Sequence, residues 1–126
     1  ELLKFSRRSE YTMNRWAARY GYEHTPKAIM DKAKKGGNGR YAAVNLCNYH
    51  TVEFRLFRGT LKYNTFIATI QLVNHICDVA MYNTDDSIAK LSWLDFVADI
   101  TEPELIQYLK ERQLYINEEV QTEEEM

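Results

Sequence analysis

With 126 residues, 45% of them hydrophobic, the chain has the size of one domain able to bury a real core, since single domains run to about 100–150 residues. Its net charge of −2 singles out neither nucleic acid, nor a membrane surface, nor an acidic partner. The two cysteines, Cys47 and Cys77, lack the CxxC spacing of a zinc or redox site and sit in apolar runs, so both read as small buried thiols. No signal peptide and no run of about 18 apolar residues is visible, and the expected compartment is a reducing cytoplasm.

The first half is basic, with Arg7, Arg8, Arg15, Arg19, Lys27, Lys32, Lys34, Lys35, Arg40 and Arg55, and the end from Glu118 is acidic. The opening on Glu1 rather than methionine is what a piece of a longer protein would show. Ser9 before Glu10 is a good N-cap, and Gly21 a good helix stop; between them Tyr11, Trp16, Ala17 and Tyr20 mark an aromatic helix face. Thr25 and Pro26 repeat the start signal, predicting a helix over 26–35 that stops at Gly36 and Gly37.

Residues 40–47 and 51–57 each alternate in polarity, with Asn48, Tyr49 and His50 between them, which predicts an antiparallel β-hairpin. A helix follows from Asn64 or Thr65 to about Tyr82. Its apolar residues, Phe66, Ile67, Ile70, Leu72, Val73, Ile76, Cys77 and Val79, surround nearly the whole circumference, as in a central buried helix. A lone hairpin is marginal in water, so this helix is expected to cover the hairpin's apolar face. Ser92 opens a short helix. Thr101 and Glu104 have capping-box spacing ahead of another helix, running to about Gln113 with Leu105, Ile106, Leu109 and Leu114 inward. The last stretch, 116–126, is too acidic and too poor in apolar groups to offset its ordering entropy, and is expected to be mobile. The fold class is thus α+β, a hairpin packed on a mostly helical remainder.

Side chains alternate faces along a strand, so Val52, Phe54 and Leu56 point one way and Glu53 and Arg55 the other. Matching the apolar faces sets Val44 opposite Phe54 and Leu46 opposite Val52; Asn45 then lies opposite Glu53 and Ala43 opposite Arg55. An amide, a carboxylate and a guanidinium come within about 5–7 Å of one another. Magnesium prefers hard carboxylate oxygens, and arginine grips phosphate through paired donors, while the small Ala43 would leave room above the sheet. On spacing alone, a solvated face on which Glu53 and Arg55 simply pair is the favoured reading.

The stretch "GRYAAVNLCNYHTVEFRLFRGTLKYNTFIATIQLVNHICDVA", with "LLKFSRR" and "RWAARYGY" before it, resembles the C-terminal half of the amidoligase family, carboxylate-amine ligases related to glutamine synthetase and glutamate-cysteine ligase. The resemblance covers the chain to about Tyr115, its most specific part being Arg40, Asn45, Glu53, Phe54, Arg55 and Asn64. It implies that residues 1–115 are the latter part of a glutamine synthetase-like catalytic domain. Glu53 would be a magnesium ligand and, with Arg55, a catalytic residue; Arg40, Asn45 and Arg55 would bind the nucleotide, the arginines holding phosphate or an acyl-phosphate intermediate. The cofactors implied are ATP and Mg²⁺, and the substrates a small-molecule or peptide carboxylate and an amine. Asn64 stands where the family has an Asn-Pro-Tyr helix start, here without the proline. The hairpin register leaves Arg40 beside the apolar set, so bringing it to the site requires a bulge near Ala42 or Ala43. The family's other metal-binding carboxylates lie on strands that precede this region, so the isolated chain is expected not to catalyse ligation.

The remaining candidates read more plainly. "KKGGNGR" at 34–40 is glycine-rich and basic, but it lacks Walker spacing and leads from helix into strand, so it reads as a helix stop and turn. The arginines and aromatics of 5–22 read as core rings with solvated charges rather than a nucleic-acid surface; Arg7 and Arg8 are substrate candidates through the resemblance alone. His24, His50 and His75 have no ligand spacing. The competing functional class is a non-catalytic binding or assembly module that presents a helical surface or a hairpin edge, and an exposed edge would also let the piece self-associate. Neither nucleic acid nor membrane is an expected partner.

Overall fold

Ser9 caps a helix as its place before Glu10 predicts, its hydroxyl accepting the Thr12 N–H at 3.2 Å. The computed structural model of the chain describes residues 1–17, 27, 34 and 42–115. The chain falls into two compact units, one spanning 2–59 and the other 60–126 with Glu1.

In the first unit, α1 (Leu2–Ser6) and α2 (Glu10–Trp16) precede β1 (Val44–Asn45) and β2 (Glu53–Phe54). α2 ends at Ala17, ahead of the expected Gly21 stop. α1, which carries no cap signal, ends where the Ser6 hydroxyl bonds back to the Leu3 carbonyl at 2.6 Å and Arg7 turns left-handed, with φ 62°. Met13, Ala17 and Leu56 form the core, with Leu3, Ala43 and Phe57 packed against them. Phe5 is fully buried and meets Phe57 edge-on, ring centres 5.7 Å apart. Lys27 and Lys34 are helical and exposed; the rest of the helix expected over 26–35 lies outside the described residues.

The hairpin is antiparallel and keeps the predicted register, Val44 opposite Phe54 and Asn45 opposite Glu53. It is far shorter than the expected 40–47 and 51–57. Beyond Asn45 the side-chain Oδ1 accepts the Cys47 N–H at 2.9 Å, an Asx turn that takes the chain out of the ladder. Leu46 and Val52 therefore do not pair, Val52 is exposed, and Cys47 is exposed rather than buried. At the other end the Arg55 N–H still reaches the Ala43 carbonyl at 2.8 Å, but the chain bends at Ala43 between a bridge at Ala42 and β1. Ala43 is partly buried and packs against the core cluster.

The second unit is helical: α3 (Tyr63–Tyr82), α4 (Asp85–Ala89), α5 (Trp93–Ala98) and α6 (Pro103–Glu111). α3 starts one residue before the expected Asn64. It is not buried all round: Thr65, Ala68 and Leu72 form one buried seam, while Phe66 and Ile70 are each about half exposed. Three- and four-residue spacing makes a single stripe, and within this unit α3 packs mainly along α6, which buries Leu105, Tyr108 and Leu109. Thr84, unnoticed in the sequence, caps α4, and Ser92 caps α5 as expected. Trp93 donates its indole N–H to the Leu114 carbonyl at 2.9 Å.

The expected capping box at α6 does not form. The cap residue is Glu102, and the Glu104 carboxylate turns to α3, accepting the Gln71 amide at 2.8 Å, while Gln71 Oε1 takes the Leu105 N–H at 3.0 Å. One side chain of a packed neighbour thereby satisfies both a helix-start N–H and the carboxylate meant for the box. Asn64 adds a bond from its Nδ2 to the Glu104 carbonyl at 3.2 Å. At its far end α6 closes with Gln113 left-handed, φ 57°, and the Leu114 N–H bonded to the Leu109 carbonyl at 2.7 Å, a Schellman ending without glycine.

The Gln71 amide, then the backbone N–H of Glu104 itself, hold the Glu104 carboxyl below its ordinary value, outweighing the opposing effect of desolvation. A depressed folded-state value gives stability that is present above the ordinary carboxylate range and lost as pH falls through and below it. Urea denaturation at pH 7 and pH 3 should show this loss, and Glu104→Gln should diminish it; an equal loss in the variant would refute the assignment.

Candidate functional site

The hairpin brings three of the four sequence-predicted site residues together. Asn45 and Glu53 face each other across the ladder, and Arg55 follows on the same side of the second strand. Glu53 Oε1 accepts both neighbours: the Asn45 amide at 3.4 Å and the Arg55 guanidinium at 3.3 Å. Among the described residues its second oxygen, Oε2, accepts no hydrogen bond. Arg40, the fourth candidate, lies outside the described residues.

The face is less solvent-like than its composition implies. Asn45 is 3% exposed, whereas Val52, from the set expected to be buried, is 55% exposed. Burying an amide is costly unless its donors and acceptor are used, and both ends of Asn45 are used, on Glu53 and on the Cys47 N–H. The carboxylate is thus oriented from the inner side by a fixed amide and from the outer side by Arg55, whose side chain is 27% exposed. The Glu53 side chain is 42% exposed, open enough to meet a ligand. Exposed ion pairs contribute little to stability, so the pair's main effect is geometric.

Arg8, a candidate only through the family resemblance, reaches the same strand. Its Nε donates to the Leu56 carbonyl at 3.1 Å, and Nη2 to the carbonyls of Arg55 at 3.1 Å and Phe57 at 3.3 Å. Burial first, and the charge of Arg55 second, hold the Arg8 guanidinium below its ordinary value. Arg7 donates to the Arg58 carbonyl, and its Nε is buried with no partner among the described residues. No local pattern in the sequence says which arginine of the pair turns onto a strand so far along the chain. His50 meets Tyr49 edge-on in the exposed loop after β1, and His75 lies against the Phe96 carbonyl in the helical unit; neither joins the site.

For magnesium, the observed donors fit one contribution rather than a complete set: a half-exposed carboxylate with one oxygen that has no partner among the described residues. Among the described residues no three His, Cys, Asp or Glu side chains gather as a metal group, and no helix is long and apolar enough to cross a membrane. Comparison with family models, with curated proteins and with solved structures gives no match.

Proposed function

We propose that this chain is the latter part of an ATP- and magnesium-dependent carboxylate-amine ligase of the glutamine synthetase-like, amidoligase type. The observation that carries the reading is the Glu53 carboxylate, held through one oxygen by buried Asn45 and by Arg55, with no hydrogen-bond partner for its second oxygen among the described residues. Glu53 would hold magnesium, which supplies neutralisation of charge on the nucleotide phosphates. Arg55 would steady those phosphates, and the negative charge that develops as a carboxylate is converted to an acyl phosphate, through its paired donors. Asn45, with both ends engaged, orients Glu53 rather than reaching the ligand itself. The reading assigns the remaining metal-binding carboxylates to other strands of such a domain, so the chain alone does not form the amide bond.

Titration with Mg²⁺ and ATP of the whole domain of which the reading makes this chain a part, followed by backbone amide shifts, tests this. Shifts centred on Asn45, Glu53 and Arg55 are expected, and Glu53→Gln should weaken magnesium binding by about tenfold or more through loss of the charged oxygen ligand. No response at these residues would overturn the assignment.

A second reading has its own support. Tyr63, Phe66 and Ile70 recur at helical spacing on α3 and are more than half exposed, which favours a binding module that presents this helix to a partner.

A further inference from the structure

The bonds that join Glu53 to Asn45 and to Arg55 lie in the hairpin, yet the described ladder is two residues long on each side. Immediately after β2 the Arg55 N–H still bonds to the Ala43 carbonyl at 2.8 Å, and so short a ladder has little resistance to a slip of register. The carbonyls of Arg55, Leu56 and Phe57 are then taken by one guanidinium, that of Arg8. Arg8 is itself fixed: its N–H bonds to the Ser6 hydroxyl at 3.1 Å, and the Ser6 carbonyl takes the Arg58 N–H at 3.0 Å. Arg7 closes the same turn on the Arg58 carbonyl. Residues 6–8 and 55–58 thus form a two-way clasp, with the side chains and backbone of one segment bonded to the backbone of the other.

The arrangement has an electrostatic cost. Arg8 is half-buried beside a second cation, and burial together with Arg55 disfavours its charged form. A lysine would bring the same charge but not the planar fork, whose donors reach three successive carbonyls at once.

We propose that Arg8 is a positioning residue of the Glu53–Arg55 site: its guanidinium holds the carbonyls of residues 55–57, and so fixes where the Arg55 side chain leaves the backbone and how Glu53 meets Asn45. This deepens the ligase reading and rests on it for what the positioned groups bind; the clasp itself is a matter of geometry.

The test begins with the unmodified chain. A scalar coupling across the hydrogen bond from Arg8 Nε to the Leu56 carbonyl carbon is expected by nuclear magnetic resonance, and its absence in the folded chain would overturn the proposal without any variant. Arg8→Lys and Arg8→Gln then separate charge from fork. In both, the Asn45 side-chain amide and Arg55 Nε resonances should move, and the Mg²⁺-ATP affinity of the whole domain to which the ligase reading assigns this chain should fall about tenfold, as when a group supporting a ligand is lost. Merely lowered stability with those side-chain resonances unchanged in the folded variant would show a structural role only, and overturn it. If Arg8→Lys retains the wild-type resonances, charge rather than the fork is what matters, and the clasp is refuted. Failure of the whole wild-type domain to bind Mg²⁺-ATP, with the coupling present and the variant shifts observed, would refute the ligase reading and leave the clasp standing.

Discussion

Replacing Phe5 with alanine is expected to destabilise the unit at 2–59 by about 3–5 kcal/mol, the usual cost of deleting a large buried ring. Phe5 has no solvent exposure and meets Phe57 edge-on, so the substitution removes both transfer energy and an aromatic pair contact, and leaves a cavity. It also loosens the helix that ends in Ser6, the anchor of Arg8. Hydrogen exchange should report this at Arg55, whose N–H bonds to Ala43, and at Arg58, whose N–H bonds to Ser6; both should lose protection. Phe5→Leu fills most of the same volume and should recover a substantial part of the loss. An alanine variant with unchanged denaturation midpoint and unchanged exchange at Arg58 would show that the ring is not what holds α1.

In the helical unit the largest single effect is expected at Leu72. It is fully buried on the α3 seam, one turn on from buried Ala68. Leu72→Ala should cost about 3 kcal/mol in stability, within the range for leucine truncations in cores that relax incompletely. Ile70→Ala, two residues away and half exposed on the same helix, should cost well under half of that, because little apolar area returns to water. The comparison distinguishes a one-sided helix from one buried all round, which the sequence pattern favoured; equal losses at the two positions would restore the all-round reading. Guanidinium denaturation of the two variants under the same conditions is sufficient.

The register of the hairpin was legible because alternation has a period of two: once Val44 and Phe54 are placed on one face, Asn45 must meet Glu53. Its length was not. The Asx turn at Asn45 depends on a side chain choosing a backbone N–H two residues ahead over continued pairing, and alternation carries no trace of that choice. The short helices behaved alike. Ser9 and Ser92 declare their caps locally, whereas Glu104 obeyed a partner on another helix, Gln71, which no local rule identifies. The apolar richness of α3 misled for a simpler reason: composition shows which residues can be buried, and packing decides which of them are. For the site, the sequence supplied Asn45, Glu53 and Arg55 through register, but the identity of Arg8 as their support required the three-dimensional return of the N-terminal turn to the second strand.

The two sets of bonds around Glu53 close chain loops of very different size. Asn45 meets Glu53 across 8 positions, while the Arg8 bonds to Arg55, Leu56 and Phe57 span 47 to 49. Closure entropy grows as (3/2)RT ln n, so the larger loop costs about 1.6 kcal/mol more to close. Folding is therefore expected to pair the strands first and fasten the N-terminal turn late. Changes at Arg8 would then speed unfolding and leave the folding rate almost untouched, whereas changes at Val44 would slow folding; the reverse pattern in stopped-flow kinetics would exclude this order. The consequence is temporal: the polar cluster can assemble before its brace, and the lifetime of the braced state is set by how fast residues 6–8 let go.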